Sequence, residues 1–320
     1  MARNIVTMAI PMTMAQLVNI LYSVVDRMYL GHIPGSGQLE LAGLGLSLPI
    51  ISIIMGFANL CGMGGGPLCS IYRGRGEDKE AERVLGNSFV LLVIFGVGIP
   101  LLFLPFREPL LYFFGASNAT YPYAQEYITI YLLGTPFVMV GLGLNPFINA
   151  QGFARTGMLT VTIGAACNII LDPIFIFALG MGVQGAALAT ILSQGISCAW
   201  ILRFLTGKTT TLRLQLRYAR LRGSVILPCI ALGIAPFIMQ FTESILNICF
   251  NTSLLRYGGD IAVGAMTILA SVMQFCMLPL QGLTQGAQPI IGYNYGAGNA
   301  DRVKKAVSYS VGLCMVYAVA

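Results

Sequence analysis

Three carboxylic acids stand inside otherwise apolar stretches of the sequence: Asp26, Asp172 and Glu243. An ionisable side chain at membrane depth is costly unless it faces a partner, water or the interior of a helix bundle, so its default interpretation is functional. Asn168 precedes Asp172 by four residues, which puts both side chains on one face of a helix. Carboxylate, amide and hydroxyl oxygens suit a hard cation such as Na⁺, and a carboxylate can also bind a proton.

The stretches around these acids are long enough to cross a bilayer. Of the 320 residues 56% are hydrophobic and 9% are charged, and the mean hydropathy is +0.79, which is typical of an integral membrane protein. A membrane helix needs about 20 apolar residues. The sequence predicts eight complete spans, at 5–30, 42–71, 85–105, 123–149, 158–179, 185–205, 225–251 and 261–292. A ninth begins near 306 and is cut off at Ala320, so we expect an all-α membrane protein whose complete chain continues further.

The distribution of basic residues predicts the orientation of these spans. If the N-terminus is cytoplasmic, only Arg27, Arg107 and Arg256 of the eighteen Lys and Arg residues lie on the outer side. The basic stretch 203–222 is therefore interpreted as a solvated cytoplasmic loop rather than as a nucleic-acid patch. His32 is the only histidine, which excludes a site built from several histidines. No pairing of a nucleophile with a base is visible either, so we expect no enzyme and no cofactor.

The spans repeat along the chain. AIPMTMAQLVNILYSVVD at 9–26 matches IAPFIMQFTESILNICFN at 234–251, and the stretch 40–84 is echoed at 260–306. The offset of about 222 residues, as between Gly74 and Gly296, puts six helices in each half. Because six is even, both halves insert with the same orientation, related by a pseudo-twofold along the membrane normal. The predicted units are an N-terminal lobe of six transmembrane helices at 1–205, a basic cytoplasmic linker at 206–223 and a partial C-terminal lobe at 224–320.

In order and spacing these features resemble the multidrug and toxic compound extrusion (MATE) transporters. The resemblance rests on Pro11, Tyr22 and Asp26 in the first span, the Gly-rich exit of the second span with Pro67, AQGFARTGM at 150–158, NIILDP at 168–173, GVQGAALAT at 182–190, and Pro236 with Glu243. Members of that family have twelve helices in two lobes that rock around a central cavity, and they export lipophilic, often cationic compounds against sodium or protons. This chain departs from the pattern by stopping in the ninth helix.

The resemblance implies roles for particular residues. Those it assigns to the cation site of the N-terminal lobe are Asp26, Asn168, Asp172 and Thr190, with Tyr22 beside them. It implies H⁺ as the coupling ion, or Na⁺ bound by the first four, and lipophilic or cationic small molecules as substrates. Glu243 is the candidate acid of the second lobe, and Pro11 and Pro236 are predicted kinks, Pro11 also a candidate hinge. We expect a monomer in the bacterial cytoplasmic membrane, with lipid but no nucleic acid as a partner.

Other interpretations of the same residues stay open. Asp26 precedes Arg27 near a helix end and could simply reach water, while Asn168 and Thr190 could be ordinary interhelical hydrogen-bonding residues. A flippase of lipids or lipid-linked oligosaccharides shares this bundle architecture. A flippase that handles pyrophosphate lipids would need cationic residues in its cavity, and no Lys or Arg lies deep in a predicted span. A non-transporting receptor or channel is a further alternative, although duplicated lobes with buried acids fit alternating access better.

Overall fold

The fold is a bundle of long helices. The computed structural model describes residues 2–33 and 37–319, and over most of 244–271 it describes the backbone without the side chains. The helices are α1 Ala2–Gly31, α2 Gly37–Gly74, α3 Asp78–Phe103, α4 Arg107–Phe113, α5 Tyr121–Ala150, α6 Ala154–Pro173, α7 Gly182–Thr206, α8 Gly223–Gly296 and α9 Ala300–Val319. A π-type turn, Ile174–Ala178, follows α6, and a short 3-10 turn, Leu216–Tyr218, precedes α8. Within the described residues no β-strand occurs, which confirms the predicted all-α class.

Seven segments of the described helices are long and apolar enough to cross a membrane. Six of them coincide with the first six predicted spans, in α1, α2, α3, α5, α6 with its π-type turn, and α7. The seventh is Gly223–Glu243 at the start of α8. Helices are expected here because backbone N–H and C=O groups in lipid must bond within their own segment. The helix α4 was not predicted; at 7 residues it is too short to span and lies between the third and fourth spans.

The helix α8 passes along α2 twice, in opposite directions. In its first part Gly233 lies against the carbonyl oxygen of Leu60, and Phe237 packs on Phe57 with ring centroids 5.1 Å apart. In its last part Gly296 lies against the carbonyl oxygen of Ile71, near the end where α2 stops. The chain therefore reverses between these two parts. The sequence predicted a break there, between 251 and 261, but the backbone is helical across it, and most side chains of that stretch, including that of Arg256, lie outside the described residues.

The segment between α7 and α8 is docked on the bundle. The Oε1 atom of Gln151, in the turn after α5, accepts hydrogen bonds from Thr210 Oγ1 at 2.6 Å, Thr211 Oγ1 at 2.9 Å, Thr211 N at 3.1 Å and Leu212 N at 3.0 Å. Leu212 is 1% exposed and belongs to the main core. We call this end of the bundle, which carries Arg73, Gln151 and the segment 207–222, the basic end.

Two further side chains hold the same segment. Glu82 accepts hydrogen bonds from the backbone N–H of Arg213 and from Gln215 Nε2, both at 3.0 Å. Asn87 Oδ1 accepts from the backbone N–H of Arg222 at 2.8 Å. The cations of the segment are exposed, as expected of a solvated loop, but the backbone between them is anchored. The sequence prediction missed this because the acceptors lie far away in the chain, on α3 and after α5.

Close contacts between the two repeats are reciprocal. Gly74 lies against the carbonyl oxygen of Tyr293, and Gly296 lies against the carbonyl oxygen of Ile71. The offset of the repeat converts one pair into the other, because Ile71 corresponds to Tyr293 and Gly74 to Gly296. Two elements related by a twofold along the membrane normal would show this reciprocity. The boundaries of the two lobes, at 1–205 and 224–320, stay a prediction.

Candidate functional site

Three helices bring the predicted polar residues of the first lobe to one place. Asp26 comes from α1, Asn168 and Asp172 from α6, and Thr190 from α7. Asp172 is fully buried, Asn168 is 2% exposed, and Asp26 and Thr190 are each 8% exposed. Tyr22, one turn before Asp26 on α1, is half-buried. None of the four buried side chains points freely into the surroundings of the bundle, as a lipid-facing residue would.

Asn168 links the two neighbouring helices of this cluster. Its Nδ2 donates to Asp172 Oδ1 at 3.2 Å and to Thr190 Oγ1 at 3.4 Å. The first contact follows from helix geometry, since residues four apart share a face. Asp172 is followed by Pro173, where α6 ends and the π-type turn Ile174–Ala178 begins. A proline has no N–H to donate, and π-type turns are frequent where a helix is adapted to a functional site.

The carboxyl groups of Asp26 and Asp172 lie within hydrogen-bonding reach of each other. Two carboxylates held this close away from bulk water repel each other strongly if both are charged. Such a pair either shares a proton or holds a cation, and the two groups titrate as a unit. The geometry is thus one that can accommodate a monovalent cation or a proton between two helices.

Three buried oxygens of the cluster have no hydrogen-bond partner among the described residues: Asp26 Oδ1, Asp172 Oδ2 and Asn168 Oδ1. Buried polar atoms are nearly always paired with protein, water or an ion. Oxygens of this kind are the ligands that hard cations prefer. The residues therefore fit Na⁺ as well as a proton, and the donor set does not include sulfur or imidazole groups that would select a transition metal.

Two tyrosines that the sequence analysis did not single out border the cluster. Tyr127 and Tyr131 of α5 are 3% and 4% exposed, and their rings stack with centroids 6.0 Å apart. The side chain of Tyr127 lies within hydrogen-bonding reach of Thr190 and close to Asp26. The sequence did contain a signal for them, namely two tyrosines four residues apart in an apolar span. Such residues must share one face of the helix.

The remaining predicted residues lie apart from the cluster. Glu243 is exposed in α8 and is not part of the carboxyl pair. Pro11 is buried and Pro236 is half-buried, and α1 and α8 both continue through these positions. The roles of Glu243 as a second-lobe acid and of the two prolines as kinks or hinges stay predictions.

A cavity of about 210 Å³ borders the cluster. It lies between α5, α6 and α7 on one side and α1, α2 and the last part of α8 on the other. Its amide lining residues are Gln16, Asn19, Asn59, Asn145, Asn149, Asn168, Gln194, Gln285 and Gln288, and its methionines are Met12, Met63 and Met158. Among the described residues that line it, none carries a formal charge. Asn168 and Thr190 belong to both the cavity wall and the polar cluster, so the two are continuous.

A protein-family comparison decides the family. The family model described as MatE matches residues 11–174 and 236–320, on both sides of the docked segment. The chain belongs to the MatE family. The resemblance inferred from the sequence is thereby confirmed, and the chain is a multi-pass membrane transporter.

Individual relatives of this MatE chain agree with that result. It is 29% identical over 312 residues to the multidrug export protein MepA of Staphylococcus haemolyticus, covering 97% of this chain and 68% of the relative. It is 27% identical to the MepA of Staphylococcus aureus strain NCTC 8325, covering 96% and 68%. A solved structure described as the outward-facing conformation of a multidrug resistance MATE family transporter superposes with a TM-score of 0.92 at 27% identity, covering 99% of this chain and 70% of that one.

Proposed function

We propose that this chain provides the ion-coupling lobe of a transporter that exports lipophilic, often cationic drugs by alternating access, driven by H⁺ or Na⁺. The observation that carries the proposal is the pair of buried carboxyl groups, Asp26 and Asp172, within hydrogen-bonding reach of each other in a membrane-spanning region. Such a pair is expensive to keep without an ion and is therefore a natural place for one. Asn168 and Thr190 supply the amide and hydroxyl groups around it.

The adjoining cavity supports a drug as the exported substrate. Methionines such as Met12 and Met63 are flexible and polarisable, and they adapt to apolar ligands of different shapes. Amides such as Gln16 and Asn59 offer both donors and acceptors without a charge of their own. A positively charged substrate would find its counter-charge in the neighbouring carboxyl pair. The names of the staphylococcal relatives, multidrug export proteins, point to the same class of substrate.

The carboxyl pair links substrate and ion by differential affinity. When the pair is free of ions, its negative charge favours a cationic drug in the cavity that borders Asn168 and Thr190. Binding of H⁺ or Na⁺ removes that charge, which weakens the hold on the drug and favours its release. The same neutralisation lowers the cost of enclosing the pair away from water while the lobes rock, so the ion-loaded transporter returns more easily. We propose the plasma membrane as the site of this exchange, with the basic end facing the cytoplasm.

The test is gradient-driven export by the complete transporter. Purified protein would be reconstituted in vesicles, and ethidium transport would be followed under an imposed pH gradient or an imposed Na⁺ gradient. We expect Asp26→Asn and Asp172→Asn each to lose gradient-driven export by at least about tenfold, a barrier change of about 1.4 kcal/mol. Asp301→Asn is the matched control, because Asp301 is an exposed acid at the start of α9. Wild-type export by both site variants would show that the pair is structural.

A further inference from the structure

A row of buried polar atoms leads away from the carboxyl pair inside the first lobe. Ser193 and Asn168 are each 2% exposed, and Ser193 Oγ and Asn168 Oδ1 have no hydrogen-bond partner among the described residues. The same holds for the side-chain carbonyl oxygens of Asn145 and Asn149. All four residues line the cavity described above. A buried polar atom without a partner is costly and rare in proteins, so four in one wall call for an explanation.

The polar residues follow one face of each helix. On α7, Thr190, Ser193 and Ser197 are spaced by three and four residues, which places them on one side of the helix. On α5, Asn145 and Asn149 are likewise four residues apart, and α5 ends at the basic end with Ala150. From the carboxyl pair the row therefore runs past Ser193 and Ser197 to Asn145 and Asn149. We call Asn168, Ser193, Ser197, Asn145 and Asn149 the polar strip.

Glycines on α6 make room for this strip. A Cβ atom at Gly164 would overlap Ser197 Oγ. A Cβ atom at Gly157 would overlap Asn149 Oδ1 and would lie 2.9 Å from Asn145 Oδ1. The backbone of α6 therefore lies directly against these polar side chains, and a larger residue at either glycine would displace them. The open space beside the strip is the cavity, which all four unpartnered oxygens border. Polar atoms and open space together are what a buried water molecule requires, since it needs two to four partners.

We propose that the polar strip, Asn168, Ser193, Ser197, Asn145 and Asn149, holds a file of water and is the route by which the coupling ion passes between the carboxyl pair and the basic end. This inference rests on the proposed function, because it gives the ion of that site a path along the α5, α6 and α7 wall of the cavity.

One hydrogen bond crosses the strip and supplies its gate. Ser197 Oγ donates to the backbone carbonyl oxygen of Thr160 at 3.1 Å, joining α7 to α6. Ser197 is 5% exposed, and its level lies between Ser193 on one side and Asn145 and Asn149 on the other. An uninterrupted file would let ions leak without moving any drug. A closed gate at Ser197 keeps the exchange coupled in the conformation described here.

Two variants test the route in opposite directions, in the complete transporter reconstituted in vesicles. Ser193→Val fills the water space with apolar atoms, so we expect gradient-driven ethidium export to fall at least about tenfold. Ser193 also lines the cavity, so ethidium binding in detergent is measured in the same variant, and export is compared at dye concentrations that saturate each protein. The H⁺ or Na⁺ concentration that releases half of the bound ethidium should stay within about twofold of wild type, because the carboxyl pair is untouched. Ser193→Ala keeps the space and should retain most of the export. Ser47→Val is the matched control, since Ser47 is fully buried but bonds only to Gly43 of its own helix.

Ser197→Ala removes the gate and should raise the drug-independent flux of the coupling ion, measured with a trapped pH dye or with radioactive sodium. Wild-type export by Ser193→Val would overturn the route. So would loss of ion-responsive ethidium binding in Ser193→Val, because Ser193 would then be a ligand of the ion, and so would an unchanged ion flux in Ser197→Ala. Failure of the proposed function has a different signature, namely gradient-driven export that survives in Asp26→Asn and Asp172→Asn.

Discussion

Asn168 is the side chain that joins the two helices of the carboxyl site. It donates to Asp172 at 3.2 Å and to Thr190 at 3.4 Å, so its loss would leave a buried carboxylate with one bond fewer. A hydrogen bond to a charged group contributes about 1.5–3 kcal/mol. We therefore expect Asn168→Ala to shift the ion concentration for half-maximal drug release by about tenfold or more. This ion concentration is measured by titrating the release of bound ethidium with H⁺ and with Na⁺.

Thr162→Ala on the same helix is the control for Asn168. Thr162 donates only to the carbonyl oxygen of Met158 in its own helix, at 3.0 Å, and should titrate as wild type. Equal shifts in both variants would mean that the effect of Asn168 is a general loosening of α6.

The polar residues of the site differed in how well the sequence revealed them. Asp26 and Asp172 stood out because carboxylates are rare in apolar spans, and Asn168 followed from its spacing to Asp172. Tyr127 and Ser193 did not stand out, because tyrosine and serine are common in membrane helices. Whether such residues face the site depends on the rotation of α5 and α7 about their axes. Packing between helices determines that rotation, and a single sequence does not contain it.

The contact between α2 and the last part of α8 depends on glycines. A Cβ atom at Gly74 would overlap the carbonyl oxygen of Tyr293, so Gly74→Ala must push the two helices apart. Overpacking of this kind typically costs about 1–3 kcal/mol. We expect the variant to open the basic end, which would lengthen the distance between spin labels at positions 79 and 302, both exposed there.

Gly45→Ala is a fair comparison for that experiment, because Gly45 is on the same helix and has nothing within 4 Å of its Cβ position. It should leave the label distance as in the wild type. If Gly74→Ala also leaves the distance unchanged, the glycine contact does not hold the basic end closed.

One amide oxygen holds the middle of the docked segment 207–222. Gln151 Oε1 accepts four hydrogen bonds from Thr210, Thr211 and Leu212, two of them from backbone N–H groups. Gln151→Ala should therefore release this segment and speed hydrogen exchange at the amides of Thr211 and Leu212 by about tenfold or more, the equivalent of about 1.4 kcal/mol. Gln151→Glu keeps an acceptor oxygen and should preserve most of the protection. Slow exchange in Gln151→Ala would mean that burial of Leu212 and the hydrogen bonds to Glu82 and Asn87 suffice to hold the segment.

The order of helices was the most predictable part of the molecule. Long apolar runs predict membrane helices well because the bilayer allows few other structures, and the first six spans were found where the sequence predicted them. The repeat was visible as well, and it predicted the correspondence between Gly74 and Gly296 that their reciprocal contacts display. The docking of residues 207–222 was not predictable, since it depends on contacts between residues more than fifty positions apart. Neither the hydropathy nor the charge of a segment records such contacts.

The two repeats meet at the basic end, and the proposed alternating access requires them to separate there. Ser70 of α2 is fully buried against the last part of α8, and a Cβ atom at Gly292 would lie 3.0 Å from the Cβ atom of Ser70. Paired cysteine Cβ atoms in a disulfide are about 3.5–4.5 Å apart, so a small outward shift would allow the double variant Ser70→Cys/Gly292→Cys to cross-link. We expect oxidation to stop gradient-driven export of ethidium and a reducing agent to restore it. The two single variants, treated with the same oxidant, control for the native cysteines and for the substitution at Gly292. Export that continues at the full rate while the cross-link is intact would mean that the helices stay together throughout the cycle, and that the drug reaches the cavity by a path other than the opening of the basic end.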